Sequence, residues 1–128
     1  MALKDLVINS RDLQEETIEK VVIKYFAYDD TGAVLIKNKD FWKLNGENKI
    51  LRYLAAISGR QFLELQEPEV SLNNAQISKG LNININSVRG FLSNLRSQGF
   101  IETEGGKNKI TTQGLHDLLE GRRDSDGS

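Results

Sequence analysis

A chain of 128 residues with 38% hydrophobic and 27% charged side chains has the size and composition of one globular domain, or one domain with an extension, that buries a substantial core. It has no cysteine, which excludes disulfides and thiolate metal sites, and its 17 basic and 18 acidic residues leave a net charge of −1, too little for strong non-specific attraction to nucleic acid. No apolar run approaches the roughly 20 residues of a membrane span, and the opening MALKDLVINSRD lacks the long apolar stretch of a signal peptide, so a cytoplasmic protein is expected.

Residues 1–46 read as an N-terminal extension. Leu3 to Ile8 is a strand candidate, followed by a short helix from about Arg11. Val21 to Tyr28 is rich in β-branched and aromatic residues, Asp29-Asp30-Thr31-Gly32 is a turn signal, and Ala33 to Lys37 is a second apolar run; together they predict a β-hairpin. A helix competes for the same residues, because Ile18, Val21, Val22, Tyr25 and Phe26 fit the helical period. Asp40 to Leu44 is expected to anchor the hairpin, with Trp42 as a buried anchor. The extension suits a dimer interface, a ligand pocket or a cover for the next helix. A further reading is a regulator whose N-terminal region senses a small-molecule effector, for which the sequence offers no positive support.

Residues 47–66 predict a helix, with Leu51, Leu54, Ala55, Ser58, Phe62 and Leu65 at helical spacing and Ile50 and Ile57 widening the apolar face. Such a face needs two partners. Gly59 either allows close packing or marks a break. Pro68 ends this stretch, and Val70-Ser71 is a short strand candidate.

Asn73 then starts a short helix as N-cap, with Gln76 completing a capping box and Leu72 and Ile77 in the staple positions around it. Asn82 closes that helix, where asparagine tolerates a left-handed backbone. Asn84 caps the next helix, with Ile83 and Val88 as the staple. Val88, Phe91, Leu92 and Leu95 form one apolar stripe, and Gly99 and Phe100 have the order of a Schellman stop. Opposite the stripe lie Asn86, Ser87, Arg89, Gly90, Ser93, Asn94 and Arg96, small or rich in donors. Arginine and asparagine suit bidentate contacts with guanine and adenine edges. The strict alternation Asn82-Ile83-Asn84-Ile85-Asn86 mimics a strand but is short, and the helical pattern after it is longer and capped. Ile85 falls off the stripe, which leaves it to pack on the N-terminal region or to touch a thymine methyl.

Phe100–Glu104 and Lys109–Thr111 are strand candidates around a hairpin tip, Gly105-Gly106-Lys107-Asn108, whose Lys107 and Lys109 are placed to meet phosphates. Thr111 or Thr112 caps a last helix to about Glu120, with Leu115, Leu118 and Leu119 inward. The ending GRRDSDGS, residues 121–128, is expected to be disordered. Residues 71–111 carry Lys79, Arg89, Arg96, Lys107 and Lys109 against Glu102 and Glu104, a net of +3, whereas residues 1–70 and 112–128 each carry a net of −2.

The stretch QISKGLNININSVRGFLSNLRSQGFIE resembles the winged helix-turn-helix superfamily of prokaryotic and archaeal transcription regulators, and the match extends from Leu51 to about Glu120. The resemblance implies an α+β, mainly α fold: a three-helix core plus β-wing over 47–120, with the N-terminal hairpin extension and a C-terminal helix added. It also implies a recognition helix, about 85–98, in the major groove of double-stranded DNA and a wing, 100–111, on the backbone. Carried onto this chain, it implies base contacts from Asn86, Ser87, Arg89, Gly90 and Ser93 and phosphate contacts from Lys79, Arg96, Lys107 and Lys109. Two features depart from the family pattern: Gly80 lies inside the first of the two short helices, and Glu102 and Glu104 lie on the wing strand.

For chemistry the sequence offers little. His116 is the sole histidine, expected on the surface or the dimer face of the last helix, so no histidine-based metal cluster forms within one chain. Glu64, Glu67 and Glu69 flank Pro68 and are expected to face solvent. Gly105-Gly106-Lys107 lacks the long loop and following helix of a phosphate loop. No nucleophile–base pair is visible, and no catalytic, metal or cofactor site is expected. The expected function is a sequence-specific DNA-binding regulator, a homodimer on a near-palindromic operator. The alternative is a winged-helix adaptor that docks protein within a larger assembly.

Overall fold

The computed structural model describes residues 10–121, an α+β fold in which helices dominate. In chain order it has helix α1 (Ser10–Val22), strands β1 (Phe26–Tyr28) and β2 (Val34–Ile36), a 3-10 turn (Lys39–Lys43), helix α2 (Gly46–Gly59), a second 3-10 turn (Arg60–Phe62), strand β3 (Leu72–Asn73), helices α3 (Asn74–Leu81) and α4 (Ile85–Ser97), strands β4 (Ile101–Glu104) and β5 (Lys107–Ile110), and helix α5 (Thr112–Leu119). The strand candidate Leu3–Ile8 and the tail 122–128 lie outside the described residues. Among the described residues no helix is long and apolar enough to cross a membrane.

Helix α2 is the central element. Ile50, Leu51, Leu54, Ala55, Ala56 and Ile57 are buried on it, and so are Asn48, Arg52, Ser58 and Gly59. Helices α1, α3, α4 and α5 and strand β5 all pack against it. Arg52 tolerates burial because its Nε donates to Asn48 Oδ1 at 2.6 Å and its guanidinium lies 5.1 Å from the Tyr25 ring centre. The helix is shorter than the expected 47–66. It stops at Gly59 and tightens into a 3-10 turn, leaving Phe62 and Leu65 half-buried outside it. Gly59 also permits close packing: a Cβ there would collide with the Tyr28 hydroxyl and lie 3.0 Å from Ile18 Cγ2.

The competition between helix and strand in the N-terminal region resolves in favour of both. Helix α1 runs to Val22, longer than expected, because Ile18, Val21 and Val22 share the face that packs on α2. That burial outweighs the β preference of the valines. The hairpin starts only at Phe26, pairing Phe26 with Ile36 and Tyr28 with Val34. Its turn is held by Asp29, whose Oδ1 accepts from the Thr31 N–H at 2.8 Å, the Thr31 hydroxyl at 2.6 Å and the Ala33 N–H at 2.9 Å. These bonds, the Thr31 hydroxyl first, hold the Asp29 carboxyl below its ordinary pKa. The anchor below the hairpin is Phe41, fully buried edge-on to Tyr25 and Phe26 at 5.9 and 5.1 Å. Trp42, expected to be that anchor, is 45% exposed; the 3-10 turn can send only one of two neighbouring rings inward.

A three-stranded sheet in the order β3-β5-β4 closes the other end. Its boundaries correct three expectations. Strand β3 is Leu72–Asn73, not Val70-Ser71, because Leu72 is the residue that reaches the core. Strand β4 begins at Ile101, since the Phe100 N–H is spent on Leu95. Strand β5 begins at Lys107, because Gly105 and Gly106, at φ +59° and +79°, make the whole turn between them. Thr111, not Thr112, caps α5, its hydroxyl accepting from the Gly114 N–H at 3.1 Å. Leu115 and Leu118 are buried, whereas Leu119, expected inward, is 44% exposed at the helix end. The buried residues form one cluster running from Ile18 to Leu118.

A Cβ at Gly114 would run into the Phe100 backbone carbonyl, which cannot swing aside as a side chain would. Gly114→Ala should therefore destabilise the fold by about 1–3 kcal/mol in chemical denaturation, although glycine-to-alanine in a free helix stabilises by up to about 1 kcal/mol; a gain would refute the contact. The Tyr28 hydroxyl donates to the Ala56 carbonyl at 2.6 Å, and burial pushes its pKa up to about 12. Because the fold holds that proton more tightly than the unfolded chain, its stabilisation is complete below pH 10 and lost as pH rises towards 12. Tyr28→Phe should flatten that loss in alkaline denaturation curves.

Candidate nucleic-acid interface

Both helices of the motif are fixed at their ends by the residues that the sequence marks. Asn73 Oδ1 accepts from the Gln76 N–H and Gln76 Oε1 from the Asn73 N–H, both at 2.8 Å, a complete capping box. Asn82 is left-handed at φ +55°, and the Ser78 carbonyl accepts from Ile83 N–H at 3.1 Å. Asn84 Oδ1 caps α4 through the Asn86 N–H at 2.8 Å. Gly99, at φ +80°, and Phe100 donate back to Arg96 and Leu95 at 3.0 Å, the two bonds of a Schellman stop. Val88, Leu92 and Leu95 are buried, and Phe91 lies half-buried over Gly46, where a Cβ would meet its ring. Gly80, which costs α3 some helix propensity, makes room for Tyr53: a Cβ there would lie 2.6 Å from its hydroxyl. Ile85 is half-buried outside the core cluster.

The opposite face of α4 is open. Asn86, Ser87, Arg89, Gly90, Ser93, Asn94 and Arg96 are all exposed, and a Cβ at Gly90 would meet nothing within 4 Å. Residues seven apart stack on one line of a helix. Asn86 and Ser93 thus run along the centre, Arg89 and Arg96 along one flank, and Ser87 and Asn94 along the other. Arg89 Nη1 reaches Asn86 Oδ1 at 3.5 Å, a weak tether that leaves most of its donors outward. Arg96 leans towards the hairpin, Nε donating to Thr103 Oγ1 at 3.0 Å. Asn94 is turned the other way, Nδ2 to Glu47 Oε2 at 3.3 Å at the start of α2.

The cations expected on phosphates are less uniform. Lys79 is exposed in the last turn of α3. Lys107 Nζ lies 3.3 Å from Glu69 Oε1, which also accepts from Gln76 Nε2 at 3.2 Å. The Gln76 amide, and after it the Lys107 ammonium, hold the Glu69 carboxyl below its ordinary pKa. Glu69 is thus a partner for Lys107, not a solvated flank of Pro68. Lys109 is half-buried and stands across the ladder from Glu102, as Lys107 does from Glu104. The two pairs share the outward face of the hairpin, so that face has no net charge.

Sequence reasoning missed Asn108, taken for part of the tip. It is fully buried. Its Nδ2 donates to the Leu72 carbonyl and to Asn74 Oδ1, both at 3.0 Å, and its Oδ1 accepts from the Thr103 hydroxyl at 2.7 Å. Since Thr103 in turn accepts from Arg96, a single side chain ties β3, β4, the start of α3 and the end of α4 together. Strand alternation was the available signal, because Asn108 is two residues from the buried Ile110. His116 is exposed on α5. Among the described residues no group of three or more potential ligands is placed to hold a metal ion. The chain matches no protein-family model, no curated protein and no solved structure.

Asn108→Ala should leave the Thr103 hydroxyl and the Leu72 carbonyl without their partner and cost about 1–3 kcal/mol. The hydrogen-exchange protection of the β4–β5 amides should fall with it. Unchanged protection would mean that the hairpin is held by its backbone ladder alone.

Proposed function

We propose that residues 46–119 form a winged helix-turn-helix that binds double-stranded DNA sequence-specifically, with α4 as recognition helix and β4–β5 as wing. The observation that carries this reading is the open face of α4. It offers Asn86, Ser87, Arg89, Gly90 and Ser93 on a helix capped at both ends and braced from behind by α2 and α3. The element order supports it, since three helices, α2 to α4, are followed by a β-hairpin and a last helix, as the resemblance implies. A rigid helix with small side chains at its centre enters a major groove deeply, and its N-terminal half then reaches base edges. Two copies acting as a dimer would read two half-sites about one helical turn apart.

A second reading, a winged-helix adaptor that docks another protein, is favoured by the charge-paired outer face of the hairpin. Fluorescence anisotropy of a labelled mixed-sequence duplex at about 50 and 200 mM salt separates the two, because phosphate contacts make affinity fall steeply with salt. On duplexes of a selected site, Arg89→Ala should cost roughly 1–3 kcal/mol and relax base choice, whereas Arg96→Ala should weaken all sequences alike. Absence of binding at the lower salt would overturn DNA recognition and leave the adaptor.

A further inference from the structure

The elements beside α4 differ in charge, opposite to the expectation from the wing, with Arg89 and Arg96 on the wing side of the helix itself. On the Arg96 side stands the hairpin, whose Lys107 and Lys109 are matched by Glu104, Glu102 and Glu69. On the Ser87–Asn94 side stands the start of α2, joined to α4 by the Asn94–Glu47 bond of 3.3 Å and by the Phe91 ring over Gly46. Just before it in the chain lies the 3-10 turn Lys39–Lys43. Residues 37–49 hold Lys37, Lys39, Lys43 and Lys49 against Asp40 and Glu47, a positive excess that the hairpin lacks.

Lys39 and Lys43 flank the exposed tryptophan in the chain, and Lys49 reaches its ring. Side chains three apart eclipse in a 3-10 helix, which puts Lys39 on the same side as Trp42. Lys49 Nζ comes within 5.8 Å of the Trp42 ring centre from the next turn of α2. Lys43 Nζ lies 3.3 Å from Asp40 Oδ1 with three quarters of its side chain still exposed, at 76%. Trp42 itself is braced edge-on by the buried Phe41 at 5.3 Å, so it is held at the surface and is not free to fold inward.

We propose that Trp42, with Lys39, Lys43 and Lys49, forms a second nucleic-acid contact: a platform that takes the sugar–phosphate backbone of the duplex on the flank of α4 away from the wing. It rests on the reading that α4 binds duplex DNA. The ammonium groups meet phosphates, and the indole covers the apolar face of a deoxyribose, an aromatic contact that lysines alone cannot supply. Recognition by α4 is then clamped from the N-terminal side, by residues outside the 51–120 stretch that resembles a winged helix.

Trp42 is the sole tryptophan, so its emission reports this site in the unaltered protein. Anisotropy of the labelled mixed-sequence duplex and Trp42 emission, with and without acrylamide, are followed in one titration at about 50 mM salt. The expected result is a Trp42 signal that saturates with the anisotropy and a quenching constant that falls on binding. In the Lys39→Ala/Lys43→Ala/Lys49→Ala variant, checked for an unchanged melting curve, affinity should drop roughly tenfold and the slope of log affinity against log salt should shrink by about 2–3. Duplex binding with Trp42 unaltered and an unchanged salt slope in the variant would overturn the platform and leave α4 recognition standing. Protection of Trp42 by a single strand but not by the duplex would overturn backbone contact in favour of base stacking. No anisotropy change with any nucleic acid would overturn both the platform and the duplex reading.

Discussion

The near-complete burial of α2 is the constraint on which the remaining elements depend. A helix that hides Asn48, Arg52 and Ser58 as well as its aliphatic residues cannot be covered by one neighbour. It takes α1 on one side and α3, α4, α5 and β5 on the others. The N-terminal residues are therefore part of the same core as the helix pair, with Phe41, Phe26 and Tyr25 in one cluster with Leu92 and Leu115. Arg52 marks how tightly this is built, since its charge enters the interior with the Asn48 side-chain oxygen and the Tyr25 ring beside it.

From that core the open face of α4 acquires its rigidity. Burial of Val88, Leu92 and Leu95 fixes the rotation of the helix, while the Asn84 cap and the Gly99 stop fix its length. Asn108 then sets the hairpin relative to both short helices through three hydrogen bonds. A buried amide that satisfies three partners is directional where apolar packing is not, which suits a position that must hold the Arg96 side of α4 at a set distance from β4. Electrostatics adds the asymmetry of the two flanks: charge pairing quiets the hairpin, while an uncompensated excess remains around Trp42.

Much of the local structure was legible because it is written in residues adjacent in sequence. The capping box of Asn73 and Gln76, the left-handed Asn82, the Asn84 cap and the Gly99 stop all stand where their spacings put them. The seven polar positions of α4 are exposed together because the apolar stripe behind them has a clear helical period. The less legible parts are those where two neighbours compete for one inward position. Phe41 and Trp42 are both aromatic, and only the cluster with Tyr25 and Phe26 decides which is buried. Ile18 to Phe26 satisfies both periodicities, and the face of α2 assigns Val22 to the helix and Phe26 to the strand.

By itself, the sequence determined where α3 and α4 start and stop and which face of α4 is polar, because caps, glycine stops and apolar periodicity act within a few residues. Only the tertiary structure decided what several exposed polar side chains face. Lys107 meets Glu69 from 38 residues away, Arg96 meets Thr103 on a strand, and Asn94 meets Glu47, 47 residues earlier in the chain. Coulombic and hydrogen-bonded partners are chosen by distance in space, and nothing in the local pattern records which distant chain segment folding will bring within 4 Å.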